Sequence, residues 1–222
     1  MKNIVFIFLS AGLLLQYSSS NAQRLVNLSS MGETFYRIKE APIKDIEGIP
    51  YLNENWTSGL VKMIGNDEID VDSLNFDIYS NKLLFQSNGL TYSVSDNNNV
   101  EHFVIGNSKF VNLKNPDFKG LFFELLSNGS KIKLLKLYKC DIVKGKPSDG
   151  IIPAVNDKFR ISKELYVLDI ENGIKKLSGS KNDILNLMNY KKNEIEKFVK
   201  ENKLNIKKEK DLIELFNHYN NL

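Results

Sequence analysis

The sequence has few of the residue types that build redox and metal chemistry. One cysteine and two histidines occur in 222 residues, and neither His102 nor His218 has a Cys, Asp or His partner at metal-ligand spacing. A single cysteine, Cys140, cannot form an intramolecular disulfide. We therefore expect no disulfide, no metal site, no cofactor and no catalytic residue of a known signature, and we expect Cys140 to be a core residue.

Long apolar runs are also missing, with one exception at the N-terminus. Lys2 gives a positive start, residues 4–15 are mostly apolar, and small residues precede a cleavage point after Ala22. We interpret residues 1–22 as a cleavable signal peptide that leaves Gln23 as the new N-terminus. A membrane anchor is the alternative, but a spanning helix needs about 20 apolar residues. The sequence thus predicts a periplasmic, secreted or cell-surface protein with no transmembrane segment after cleavage.

The chain lacks a block of like charge. The net charge is +3, and the lysines of residues 175–222 alternate with acids and apolar residues. Binding to nucleic acid requires a clustered basic stripe. We therefore expect no nucleic-acid partner, and an envelope protein, a glycan or a small ligand remains as the partner.

Three Asn-Gly pairs predict three β-hairpins, since this dipeptide accepts the two positive φ angles of a type I′ turn. The pairs are Asn88-Gly89, Asn128-Gly129 and Asn172-Gly173. Residues 132–142 are apolar on both alternating phases, which predicts a strand at the centre of the core or one re-aimed by a bulge. Residues 144–157, rich in Gly and Pro, predict a long loop.

After Ser178 the apolar period changes from two to about 3.6, which indicates helices. Three amphipathic stretches follow, and Ser180 is the expected N-cap of the first. We predict an α+β fold that is mainly β. Residues 23–178 form an antiparallel sheet or flattened barrel of about seven to nine strands, and residues 179–222 form two or three helices packed on the same domain.

Two segments are candidates for binding. Tyr51 and Trp56 lie in a turn-rich segment, residues 48–59, that suits either an aromatic platform for a ligand or a turn whose aromatics cover the core. The acids of residues 67–72 suit either a calcium site or the solvent-facing side of a strand, and the second interpretation is favoured because Ile69 and Val71 alternate with them.

Residues 50–59 (Pro-Tyr-Leu-Asn-Glu-Asn-Trp-Thr-Ser-Gly), the Ala22-Gln23 junction and residues 193–204 resemble exported Bacteroidota proteins of unknown function. Asp72-Ser73-Leu74 also resembles the short acceptor pattern for O-glycosylation in such organisms. The resemblance implies an envelope or secreted location and assigns no catalytic residue.

The sequence leaves three functions open. The first is a non-enzymatic binding or interaction module of the cell envelope. The second is a hydrolase that acts on envelope or dietary polymer with a carboxylate pair, and a cleft with two carboxylates, one of raised pKa, would indicate it. The third is a carrier of a lipid or small apolar molecule, for which a closed sheet with an apolar lumen would be typical.

Overall fold

The computed structural model describes residues 35–38, 46–65, 68–148, 150–151, 153–169 and 171–222. The predicted signal peptide and Asp67 lie outside these residues. Within them the fold is α+β and mainly β, as predicted, with a large and mostly antiparallel open sheet followed by helices. No helix in the described part of the chain combines the length and the apolar character needed to cross a membrane.

Twelve strands and three α-helices make up the described fold. The strands are β1 (Phe35–Arg37), β2 (Ile46–Glu47), β3 (Thr57–Met63), β4 (Glu68–Asp77), β5 (Lys82–Ser87), β6 (Leu90–Val94), β7 (Val100–Ile105), β8 (Ser108–Asn112), β9 (Phe122–Asn128), β10 (Ile132–Val143), β11 (Asp157–Asp169) and β12 (Gly173–Lys176). The helices are α1 (Lys181–Leu187), α2 (Lys192–Glu201) and α3 (Glu209–Asn221). Single 3₁₀ turns occupy Asn97–Asn99, Pro116–Phe118 and Asn189–Lys191.

The sheet is largely a succession of hairpins in the order β1-β6-β5-β4-β3-β7-β8-β9-β10-β11-β12, and β2 pairs in parallel with β11. The turn between β5 and β6 has φ of 51° at Asn88 and 71° at Gly89, the pair of positive angles that the sequence predicts. The hairpin after Asn128 also forms, but Gly129 has no positive φ there, so its turn is of another kind.

The strand count exceeds the expected seven to nine because of the short strands β1 and β2 and of one further hairpin. The hairpin between β7 and β8 turns through Gly106 and Asn107, and only Gly106 has a positive φ, 57°. This pattern is that of a type II′ turn, in which Gly comes first. The Asn-Gly pattern does not predict this turn because Gly106 and Asn107 occur in the reverse order.

The sheet curls so strongly that distant strands meet across its concave face. The ring of Tyr79, after β4, lies 5.5 Å from that of Phe159 on β11, although five strands separate β4 from β11 in the sheet order. The enclosed core is rich in phenylalanine and includes Phe76, Phe103 and Phe110. The two edge strands do not pair with each other, so the sheet stays open.

The helices cover the remaining part of the same face. Ile132 and Leu134 of β10 are buried in a cluster with Leu212, Leu215 and Phe216 of α3. β10 pairs with β11 in one unbroken register along its whole length, so alternate residues of β10 share a face. A third cluster, centred on the opposite face of β9, β10 and β11, buries Phe123, Leu135, Leu137 and Tyr166.

Polar side chains attach α3 to the β9–β10 hairpin. Asn220 Oδ1 accepts hydrogen bonds from the backbone N–H groups of Lys131 (3.2 Å) and Ile132 (3.1 Å), and its Nδ2 donates to the Ile132 carbonyl at 2.9 Å. A Cβ atom added at Gly129 would lie 1.8 Å from Asn220 Cγ. Glycine at position 129 therefore lets α3 approach the hairpin closely.

Candidate functional site

A buried lysine lies on the concave face of β10, between the helix-covered core and the core under the curled sheet. Lys136 is 4% exposed, and Ile132 and Leu134 precede it on the same face while Tyr138 and Cys140 follow it. Its Nζ donates to Glu124 Oε2 and to Glu209 Oε1, each at 2.8 Å. Glu124 lies directly opposite Lys136 in the β9–β10 register, whereas Glu209 comes from the first turn of α3.

Two hydroxyl groups complete the surroundings of Glu124. Ser108 Oγ donates to Glu124 Oε1 at 2.6 Å, and the Tyr138 hydroxyl donates to Oε2 at 2.7 Å. Burial alone would raise the pKa of Glu124, but the hydrogen bonds from Lys136, Ser108 and Tyr138 outweigh it and lower this pKa. The carboxylate is therefore held in its charged form.

The same contacts fix the charge states of the two neighbouring groups. Burial alone would lower the pKa of Lys136, but its hydrogen bonds to Glu124 and Glu209 raise this pKa above the ordinary value of 10.5. Burial and the hydrogen bond to Glu124 raise the pKa of Tyr138 to about 12. The phenol thus keeps its proton at neutral pH and donates a hydrogen bond to the carboxylate.

A pocket opens beside this cluster on the concave face. Its volume is 320 Å³, which lies at the lower end of the range for small-molecule sites. The lining residues are Leu52, Asn53, Ile78, Ile105, Ser108, Tyr138, Ile161 and Lys163. Four of them are aliphatic, and two, Ser108 and Tyr138, also bind Glu124.

One wall of the pocket is an irregular segment that β4 holds in place. The Leu52 N–H donates to the Phe76 carbonyl at 2.8 Å, and the Ile78 N–H donates to the Pro50 carbonyl at 2.9 Å. The fully buried Asn75 donates from Nδ2 to the Asn53 carbonyl at 3.0 Å. These bonds give a segment without regular secondary structure a fixed position at the pocket.

The hydroxyl groups of the pocket have a defined polarity. The Ser108 and Tyr138 hydroxyl groups both donate a hydrogen bond to Glu124. Toward a molecule in the pocket their oxygens therefore act as acceptors and not as donors. Among the residues that the structure describes, Lys163 is the one charged residue in the lining, and no acid lines this pocket. The arrangement therefore offers acceptors at its floor and a cation at its side.

The predicted ligand residues lie next to this pocket but do not line it. Tyr51 is half-buried and forms an isolated bridge to Asp77, and Trp56 is half-buried immediately before β3. Their neighbours Leu52 and Asn53 are the lining residues. A binding role for Tyr51 and Trp56 stays a prediction.

The acidic stretch follows the interpretation that the sequence favours. Asp70 and Asp72 are exposed on β4 while Ile69 and Val71 alternate with them. In the described ranges no group of three His, Cys, Asp or Glu residues is placed to hold a metal ion. Glu68 instead lies 3.3 Å from Nε2 of His102.

Sequence reasoning missed the charged cluster because its members look like ordinary surface residues. Glu124 and Lys136 each lie within an apolar stretch, and a lysine on the same strand phase as Leu134 and Tyr138 is the one available signal. Lys163 carries the same kind of signal, because Phe159, Ile161, Leu165 and Val167 share its strand phase on β11.

Comparison of the chain with known protein families, curated proteins and solved structures finds no match.

Proposed function

We propose that this chain is an exported, non-enzymatic binding module of the cell envelope, and that its ligand is a small molecule with an apolar body. The pocket of 320 Å³ on the concave face carries this proposal. Leu52, Ile78, Ile105 and Ile161 supply its apolar part, and Asn53, Ser108, Tyr138 and Lys163 supply an equally large polar part, so the site suits a small molecule with both an apolar body and polar groups. The N-terminal pattern of residues 1–22 supports export.

The hydrolase alternative has weaker support. Glu124 and Glu209 both contact Lys136, so two carboxylates do lie close together. A general acid requires a raised pKa, whereas that of Glu124 is lowered. Both carboxylates, moreover, already bind a buried cation.

A carrier of small apolar molecules remains the second candidate, and the aliphatic walls of the pocket favour it. The sheet is open and not closed around a lumen, so such a carrier would hold its cargo in a half-open pocket. Binding module and carrier share the same ligand site, and they differ in whether the ligand is passed on.

The binding proposal is tested by filling the pocket. Ile161 lines it and is 38% exposed, so Ile161→Trp should occupy the space at modest cost to folding. Arg160→Trp is the matched control, because the neighbouring residue points to the opposite face of β11. In calorimetric titration with 1-octanol, we expect the wild type and Arg160→Trp to bind and Ile161→Trp to lose binding. Equal binding by all three proteins would contradict the proposal.

Export is tested by intact-mass measurement of the protein recovered from the envelope or the medium. We expect a chain that begins at Gln23. A protein that retains Met1 would remove the basis for the proposed location.

A further inference from the structure

The outer side of β11 has a gap in its strand pairing between β2 and β12. On that side β2 pairs with Asp157 and Lys158, and β12 pairs with β11 from Tyr166 to Asp169. Among the described residues no strand pairs with residues 159–165 on this side, whereas β10 pairs with all of them on the other side. The row that contains β2 and β12 is therefore interrupted in its middle.

The backbone of β11 has free hydrogen-bonding groups in this gap. In antiparallel pairing the N–H and C=O groups of one residue point to the same side of the strand, and successive residues alternate. The Leu177 N–H donates to the Leu165 carbonyl at 2.8 Å, so the residues in phase with Leu165 face outward. Ile161 and Lys163 therefore present both groups at the gap, and within the described ranges these groups have no hydrogen-bond partner.

We propose that this gap binds a short extended segment of a partner protein by β-strand addition. Ile161 is 38% exposed, and Ser162 and Lys163 are exposed as well. An exposed edge with unpaired N–H and C=O groups is a template for another extended chain. This peptide site is independent of the pocket ligand, because it uses the backbone groups of Ile161 and Lys163 and not their side chains.

The two ends of the gap limit the length of the segment. Gly48, which follows β2, lies beside Phe159, since a Cβ atom added to it would be 3.9 Å from the Phe159 carbonyl oxygen. Leu177 occupies the position opposite Leu165. Residues 160–164 remain between them, a span of about 17 Å. β11 of a second copy has 13 residues and would collide with β2 and β12, so a segment of about five residues is the occupant that fits.

The concave face favours apolar side chains in this segment. Directly opposite residues of paired strands share a face, so the segment's residues opposite Ile161 and Lys163 lie on the concave side. There Ile161 is partly exposed, and Tyr79, which is 50% exposed, contacts the ring of Phe159. Aliphatic side chains would cover this surface.

Charge complementarity defines one further position, at the Arg160 end of the gap. Arg160 and its neighbour Asp141 are each 64% exposed and lie 3.8 Å apart. Among the described residues around the gap, this face carries four cations and three acids, a net charge of +1: Lys139, Lys158, Arg160 and Lys176 against Glu47, Asp141 and Glu164. An acidic side chain opposite Arg160 is therefore favoured over a basic one.

A peptide with the sequence acetyl-Thr-Val-Thr-Val-Glu-amide tests the proposal. In antiparallel alignment its glutamate lies opposite Arg160 and its valines lie opposite Ile161 and Lys163. Amide hydrogen exchange of the purified chain, followed by NMR, is the measurement. In the free protein we expect fast exchange at Ile161 and Lys163 but slow exchange at Ser162 and Glu164, whose N–H groups face β10. Peptide at ten times its Kd should slow exchange at Ile161 and Lys163 about tenfold.

Two methylated peptides provide matched controls. Methylation of both valine nitrogens removes the N–H groups that face β11 and should abolish the slowing. Methylation of the central threonine nitrogen, which faces away from β11, should leave it unchanged. In the protein, Lys163→Pro removes an outward N–H that β10 does not use, a position where an edge strand tolerates proline. This variant should keep the circular dichroism of the wild type and lose the response to the peptide.

The outcomes distinguish the possible occupants of the gap. Equal slowing by the two methylated peptides would overturn strand addition, because side chains alone would then account for binding. An unmethylated peptide that leaves exchange at Ile161 and Lys163 unchanged would also overturn it. Slow exchange at these two amides without peptide, increasing with protein concentration, would assign the edge to a second copy of the chain instead. Binding of 1-octanol in the pocket is a separate readout and is not affected by these results.

Discussion

The core under the curled sheet and the core under the helices are stabilised in different ways. The first contains phenylalanine rings in mutual contact, such as Phe103 with Phe110 at 4.8 Å and with Phe122 at 4.9 Å. The second is mainly aliphatic and is bordered by side-chain hydrogen bonds between α3 and the β9–β10 hairpin, including that from the Ser127 hydroxyl to Asn217 Oδ1 at 2.7 Å. The strands around the first core are held in position by the backbone hydrogen bonds between paired strands. A helical layer depends instead on a few identifiable side chains.

The largest effect on the free energy of unfolding is expected when Phe216 is removed from the core under the helices. Phe216 is fully buried, so Phe216→Ala should lower the free energy of unfolding by about 3–5 kcal/mol. Phe103→Ala is the matched change in the sheet core. We expect both variants to unfold in a single transition in chemical denaturation followed by far-UV and near-UV circular dichroism.

Hydrogen exchange on the free protein tests whether the helical layer is a stable part of the fold. If the helical layer belongs to the fold, the amides of the buried residues between Ile184 and Tyr219 exchange slowly. Exchange at the unprotected rate throughout α1, α2 and α3 would make these helices an arm that orders on a partner.

The next effect concerns the charged cluster at the boundary of the two cores. Glu124→Gln removes one of the two carboxylates that bind the buried Lys136. Because Glu209 remains, we expect the loss to stay below the cost of about 3–5 kcal/mol that follows when a buried charge loses its partner. Glu164→Gln is the control on the other face, where Glu164 contacts the half-exposed lysines Lys139 and Lys176, and pairs of that kind contribute about 0–1 kcal/mol. Urea denaturation of the two variants measures the difference, and equal losses would contradict a special role for Glu124.

This cluster also makes a prediction about acid stability. The pKa of Glu124 is lowered on folding, so its stabilising contribution is complete above the ordinary value of 4.5 and is lost as the pH falls through the lower folded value. The stability of the wild type should therefore decrease more steeply below pH 4.5 than that of Glu124→Gln. Parallel pH profiles in denaturant titrations would show that the pKa of Glu124 does not change on folding.

The smallest effect is expected at the attachment of α3 to the hairpin. Asn220→Ala leaves the N–H groups of Lys131 and Ile132 without this acceptor, which costs about 1–3 kcal/mol. Asn221→Ala, at the exposed neighbouring position, should change stability by less than about 0.5 kcal/mol. Thermal unfolding of both variants measures the difference, and no loss in Asn220→Ala would show that apolar packing alone positions α3.

Local patterns predicted much of the fold. The Asn88-Gly89 turn formed as expected, because two positive φ angles depend on the dipeptide itself. The apolar phases of β10 predicted a strand at the centre of the core or one re-aimed by a bulge, and the structure confirms the first, since β10 contributes to clusters on both of its faces. The bulge beside Leu134 has its extra residue on β9, so it does not re-aim β10. The change of period after Ser178 predicted the helices.

The candidate site depends on relationships that no local pattern contains. The contact between Glu124 and Lys136 requires the register of β9 against β10, and the contact with Glu209 requires the placement of α3. The pocket arises from the curl of the sheet, which brings Ile78 near Ile161. The aromatic residues Tyr51 and Trp56 indicated residues 48–59 as a candidate binding segment. The sequence could not show that Leu52 and Asn53 are the side chains of this segment that line the pocket.

The pairing order of the sheet also determines how the chain can fold. The β10–β11 hairpin joins strands that are adjacent in sequence, and its twelve-residue β10 strand is paired along its full length, so closing it costs little chain entropy. The pairing of β3 with β7 and that of β1 with β6 instead join segments that are distant in sequence. We expect these two late closures to limit the refolding rate, since non-local strand pairing is slow. The concave face, and with it the pocket, would then be completed at the end of folding.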